Sequence, residues 1–195
     1  MAVATPPPPS ERIVLAGGCF WCTEAVFSEL RGVLSAVPGY AGGSVPDPSY
    51  EAVCTGRTGH AEAVEVTFDP SLVSLHDLLV VFFTTHDPTT RDRQGPDTGT
   101  QYRSAVFPRN DEQRAVVQAV IREVAEERLY PHPIVTEVVP LTAFYPAEAY
   151  HRNYYRRHPE QAYCQAVIAP KLAKFRKAHA ARLAATGWSS RPAAP

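Results

Sequence analysis

The succession of hydrophobic periods along the chain predicts an α+β fold: a two-layer sandwich with a ferredoxin-like βαββαβ core, to which further helices and long loops are added. Three observations carry that prediction. The first six elements read strand, helix, strand, strand, helix, strand; glycines and prolines punctuate their ends; and no fixed-period repeat or internal linker divides the 195 residues. A chain of this length buries a working core without disulfide staples. Residues 11–185 therefore read as one domain, between a proline-rich tail at 1–10 and a second tail at 186–195.

Each element has its own signature. Ile13-Val14-Leu15-Ala16 is a short apolar strand that passes through two glycines to Cys19, after which Cys22, Ala25, Val26 and Leu30 fall at helical spacing. Gly32 is expected to end that helix, and Val33–Val37 reads as a strand closed by Pro38-Gly39. The stretch 40–59 reads as a loop of functional length. In Glu62–Phe68 the alternation puts Val64, Val66 and Phe68 on one face, and Glu62 shares their parity while Glu65 points away. Ser74 caps the next helix with Asp77 three residues on, and Leu75, Leu78, Leu79, Phe82 and Phe83 form its core stripe. A second long loop, His86–Gln101, leads into a strand at Tyr102–Phe107. Asn110 or Asp111 starts a helix with Val117, Val120, Ile121 and Val124 on its apolar face, stopped by Pro131 and Pro133. Ile134–Leu141 is strand-like; Pro146 opens a short helix through Tyr155, and Pro170 opens another over Lys171–Leu183.

Composition narrows the function. The net charge is −1 with no basic run, which argues against nucleic acid as a partner. The first residues lack a signal-peptide pattern, and no stretch approaches the roughly 20 apolar residues of a membrane span, so a cytoplasmic protein is expected. Four cysteines in such a chain point to catalysis, redox chemistry or metal rather than a disulfide framework.

Cys19 is the candidate nucleophile. It stands at a strand-to-helix turn, where free N–H groups and the positive helix end are expected to lower a thiol pKa. Phe20 and Trp21 beside it offer a dry aromatic wall for an apolar substrate group. Glu62, at the end of a buried face, would lose hydration and hold a proton near neutral pH, as a general acid must, although parity alone reads it equally well as a strand-end carboxylate facing water. Tyr40, Tyr50 and Tyr102, each taken alone, read as packing residues with a wet hydroxyl; what favours function for Tyr50 and Tyr102 is that they flank the two long loops. His60 and His86 are read as loop-stabilising hydrogen-bond partners rather than catalysts. Cys19 and Cys22 form a C-x-x-C, but Cys54 and Cys164 are solitary and no histidine pair has ligand spacing, so a redox dithiol is favoured over zinc and no metal is assigned.

Several strings agree in order and spacing with one family. GCFWCTEAVF, GYAGG, DPSYEAVCTGRTGHAEAVEVTFDP, and HDPT followed by QGPDTGTQYRS resemble the A-type methionine sulfoxide reductases, the peptide-methionine (S)-S-oxide reductases, over about Ile13 to Arg176. The resemblance implies reduction of methionine-S-sulfoxide, free or in proteins, by thiol chemistry without metal or flavin and with thioredoxin as reductant. It implies Cys19 as nucleophile, Phe20 and Trp21 as the S-methyl pocket, Glu62 as general acid, Tyr50 and Tyr102 as hydrogen-bond donors to the sulfoxide oxygen, and Asp97 as a polar site residue. Sulfenic acid on Cys19 would be resolved by a second thiol. Cys164, in the C-terminal segment where many members carry that cysteine, is favoured; Cys22, where many carry glycine, is the rival, and a relay of both stays open. Cys54 is read as structural, and the protein is expected to work as a monomer.

Overall fold

A computed structural model describes residues 9–184; the expected tails at 1–10 and 186–195 lie, apart from residues 9 and 10, outside the described residues. In chain order the elements are β1 (Glu11–Gly17), α1 (Phe20–Ser28), β2 (Val33–Ala41), α2 (Tyr50–Cys54), β3 (Ala61–Phe68), α3 (Leu75–Thr85), β4 (Arg93–Gln94), β5 (Asp97–Thr98), β6 (Ser104–Phe107), α4 (Asp111–Glu126), β7 (Glu137–Val138), β8 (Phe144–Pro146), α5 (Tyr154–Arg157) and α6 (Ala169–Ala178). One six-stranded mixed sheet runs β7-β6-β1-β3-β2-β8, antiparallel except for the parallel β6/β7 pair. The fold is thus α+β with a central sheet and helices. None of the described helices is long and apolar enough to cross a membrane.

The period-two alternation of β1 and β3 splits their side chains between two buried clusters. Ile13, Leu15, Val64, Val66 and Phe68 join the large core under α1, α3, α4 and α6, while Val14, Ala16, Ala61 and Ala63 pack on the other face with Ala105 and Phe107. Helix α1 is buried nearly all round, with Trp21 its half-exposed exception, because the sheet covers one side and α5 and α6 the other. Ser74 caps α3 by accepting from Asp77 N–H, and Asn110 caps α4 by accepting from Gln113 N–H.

Several sequence expectations give way, each for a local reason. Strand β2 does not close at Pro38-Gly39 but runs to Ala41: Pro38 still pairs with Val64 of β3, and its carbonyl accepts from Ala147 N–H at 2.9 Å. Having no N–H to return that bond, Pro38 ends the β2/β8 ladder instead of the strand. The stretch 40–59 contains the end of β2 and the five-residue α2, capped by the Ser49 hydroxyl, and the 86–101 loop folds back as the β4/β5 hairpin. The following strand begins at Ser104, because Thr100–Tyr102 forms a 3₁₀ turn. Helix α1 stops at Ser28, short of Gly32, since Leu30 leaves it to bridge Leu183. Helix α4 ends at Glu126, before its prolines, where Arg128 turns to a φ of 51°. Only Glu137–Val138 of the 134–141 stretch pairs as strand. Pro146 closes β8 rather than opening a helix. The last helix starts before Pro170 with a π-helical turn over Cys164–Ile168, a wide turn that tolerates the proline's missing N–H, and α6 stops at Ala178 rather than Leu183.

Candidate active site

The chain enters the site at the end of β1. Gly18 has a φ of 90°, and a Cβ there would lie 2.5 Å from Gln94 Cγ, so only glycine lets β1 turn sharply into α1 with Gln94 packed over the turn. Cys19 follows as the N-cap residue, outside the helix, with φ −51° and ψ 122°. Its carbonyl accepts from Cys22 and Thr23 N–H at 3.1 and 3.3 Å, which fixes its backbone against the first turn.

A cavity of about 210 Å³ opens at this cap and is lined by Cys19, Phe20, Trp21, Tyr50, Glu62, Asp97, Tyr102 and Tyr163. Seven of these eight are residues the sequence singled out. The carboxyl of Glu62 is 1% exposed and accepts from Phe20 N–H at 3.0 Å, the bond that ties β3 to the start of α1. Burial pushes the Glu62 pKa up to about 8, Asp97 and Cys22 adding to the effect and the Phe20 N–H opposing it. Tyr50 and Tyr102 are half-buried, and burial followed by the nearness of Glu62 moves both phenols well above their ordinary range. They remain hydroxyl donors at any working pH.

The expected lowering of the Cys19 pKa does not occur in this resting site. Burial raises it, and Cys22 and Glu62 raise it further. The helix-start N–H that would have steadied a thiolate, that of Phe20, is given to Glu62 instead. Interaction with Cys19 holds Cys22 below the ordinary thiol range, whereas burial, then Cys22, holds Cys19 above it. Cys164, buried at the π-helical turn, interacts with Cys22 and Glu160. Cys22 is thus the cysteine that acts on Cys19, while Cys164 acts on Cys22. Cys54 is exposed at the end of α2 and shares a hydrogen bond with Tyr50.

Sequence reading missed the shell that holds the aromatic wall. Tyr163 donates its hydroxyl to Asp97 Oδ2 at 2.6 Å and also bonds Cys19, so it closes the cavity from the C-terminal side. Trp21 stacks on Tyr154 with centroids 3.8 Å apart and planes 7° from parallel, and its indole N–H donates to His151 Nδ1 at 3.1 Å. His151 is 1% exposed and packs on Phe20 and Tyr50. Glu148 accepts from Tyr40 hydroxyl at 2.8 Å and from Tyr50 N–H at 2.9 Å. Tyr40 itself is fully buried. Glu24, 2% exposed on α1, accepts from Asn153 N–H at 2.8 Å and from Tyr154 N–H, which seats the whole segment; burial raises its pKa to about 7. The dense run of tyrosines and histidines from Tyr150 to Tyr163 was the available signal. It has no clean period, so periodicity gave it no partner.

The two loop histidines behave as expected. His60 accepts from Gly43 N–H on Nδ1 and donates through Nε2 to Val45 O at 2.8 Å. His86 donates through Nδ1 to Phe82 O and accepts on Nε2 from Ser104 hydroxyl, both at 2.7 Å.

Comparison with known proteins agrees with this geometry. The family described as peptide methionine sulfoxide reductase matches residues 11–183. A peptide methionine sulfoxide reductase MsrA of Thermus thermophilus is 63% identical over 170 residues, covering 87% of this chain and 96% of the relative. Among solved structures, reduced Mxr1 from Saccharomyces cerevisiae superposes with a TM-score of 0.72 at 35% identity, covering 80% of this chain and 89% of that one. Mxr1 in complex with Trx2 gives a TM-score of 0.52 at 24% identity, covering 78% and 90%. A chain with this cavity, matched along nearly all its described length, belongs to the peptide methionine sulfoxide reductase family.

Proposed function

We propose that the enzyme reduces methionine-S-sulfoxide, free and in proteins, by attack of Cys19 on the sulfoxide sulfur, with Glu62 as the acid that protonates the departing oxygen. The observation that carries this reading is the shared cavity: Cys19, a carboxyl that keeps its proton to about pH 8, and two neutral phenols all face it. A sulfoxide sulfur is a poor electrophile until its oxygen is hydrogen-bonded or protonated. Glu62, Tyr50 and Tyr102 supply the donors. Phe20 and Trp21 receive the S-methyl group, and Asp97 orients the Tyr163 hydroxyl beside Cys19. As Cys19 attacks, it gives its proton up to Cys22; methionine leaves and Cys19 retains the oxygen as a sulfenic acid.

Recycling in this reading uses Cys22 first, because it stands in the helical turn that Cys19 caps, and Cys164 next, because it is buried and acts on Cys22. A thioredoxin is the proposed reductant, by thiol–disulfide exchange. The recorded complex of Mxr1 with Trx2 supports that choice. Thiols alone complete the cycle, without metal or flavin. The proposed working form is a monomer, and a cytoplasmic setting suits a reaction whose thiols must stay reduced. The ferredoxin-like, two-layer reading of the core is supported by the order β6-β1-β3-β2, and a single catalytic domain over 11–185 by the continuous large core.

The rival is a general disulfide oxidoreductase built on Cys19 and Cys22, which has no use for Glu62. Glu62→Gln is expected to lower sulfoxide reduction by about 10²-fold or more while leaving dithiol exchange intact. Equal losses in both assays would remove the general-acid role.

A further inference from the structure

Cys22 faces away from the sulfoxide cavity into a second small recess, which shares no lining residue with the first. Lys171 of α6 and His86 at the end of α3 meet it there, over Phe82. Lys171 is half-buried, and no carboxylate among the described residues comes within ion-pair reach of it. A partly desolvated ammonium without a counter-ion is costly, and an anion in the same recess relieves that cost. His86 does not compete as the cation: both its nitrogens are engaged, and burial pushes its pKa down to about 4.

We propose that Lys171 is the counter-cation of a Cys22 thiolate, and that this pairing makes Cys22 the thiol that resolves oxidised Cys19. The proposal rests on the reading that Cys19 becomes a sulfenic acid. In the step, the Cys22 sulfur attacks the Cys19 sulfur; the S–S bond forms, the S–O bond breaks, and the oxygen leaves with a proton as water. The sulfenic sulfur is reduced and the Cys22 sulfur oxidised, so no further reagent is needed. The other groups acting on Cys22 are Cys19 from the start of its own helix, Tyr163 and Cys164 from the helical turn before α6, Asp97 from β5 and Glu62 from β3. Asp97 opposes the thiolate and Lys171 favours it. The pairing is local, since Cys19 is the non-helical cap and Cys22 stands three residues on in the first turn of α1, so that only this turn moves as the sulfurs close to the roughly 2.05 Å of a disulfide.

The test mixes the reduced full chain with one equivalent of a methionine sulfoxide peptide, without reductant. It follows released methionine, sulfenic acid trapped by dimedone, and the Cys19–Cys22 disulfide by peptide mass, across pH 6 to 9. In Lys171→Met the disulfide step is expected to slow about tenfold at neutral pH relative to the methionine-forming step, with its pH midpoint moved upward, and Lys171→Arg is expected to restore both. In a Cys22→Ser background sulfenic acid should persist, and adding Lys171→Met should slow its decay no further. An unchanged disulfide rate and midpoint in Lys171→Met, an arginine variant as slow as the methionine one, or extra slowing without Cys22 would each overturn the proposal. Failure of the underlying reading looks different: the wild type itself would release methionine without any trappable sulfenic acid or any Cys19 disulfide.

Discussion

The two sides of the first turn of α1 carry opposite electrostatics. On the cavity side stand two carboxyl groups and three phenols, with no cation among the lining residues, and burial keeps Glu62 and the phenols protonated. On the recess side stand a lysine and a histidine held neutral. A spacing of three residues is enough to place one cysteine in each setting, because Cys19 is the non-helical cap and Cys22 lies within the helix. The proposed mechanism puts its two halves on these two sides: an oxygen would be given protons on one, and a sulfur would lose one on the other.

The largest effect should come from the cavity nucleophile. Cys19→Ser is expected to abolish methionine formation, by on the order of 10⁴-fold or more in a coupled turnover assay, whereas a variant that keeps substantial turnover would place the reacting sulfur elsewhere. The phenols come next. Tyr50→Phe and Tyr102→Phe each remove one donor to the oxygen, so kcat should fall about 10- to 100-fold with little change in KM; a pure KM effect would make them packing residues.

Glu24 tests whether the cavity wall is held from behind. Glu24→Ala leaves the N–H groups of Asn153 and Tyr154 without their acceptor, which should cost about 1–3 kcal/mol in chemical denaturation and loosen the Tyr154–Trp21 stack, seen as a shift in tryptophan emission. An unchanged stability would show that the segment is seated by other contacts.

The smallest effect is on pH dependence. The folded chain holds the Glu62 proton up to about pH 8, whereas the unfolded chain releases it near 4.5. Its contribution to stability is therefore fully present below about pH 4.5 and lost as pH rises toward 8. Glu62→Gln should raise the melting temperature at about pH 8.5 more than at about pH 5, although it cripples catalysis. A melting temperature that falls equally at both would show that the carboxyl is not charged against the fold.

Much of the cavity could be read from the chain because its residues announce themselves locally. Glu62 and Glu65 illustrate this: alternation alone put the first inward and the second outward. In the structure Glu62 is buried under α1, whereas Glu65 reaches the surface and pairs with Arg12 and Arg109. The Ser74 cap and the α3 stripe were legible for the same reason, since each depends on neighbours within one or two turns. Departures occur along the whole chain, and after Phe107 they come where the segments are short and aperiodic and long-range pairing decides them. Pro146 illustrates that failure. Its fixed φ suits a helix start, yet the exposed edge of β2 claims it as the end of a strand.

The sequence by itself determined the family and seven of the residues that line the cavity, because these rest on residue type and short spacing. Only the tertiary structure decided which groups hold their protons and which charges act on each cysteine. Those properties depend on burial and on charges such as Lys171 and Asp97, which folding brings in from far along the chain and which no local pattern records.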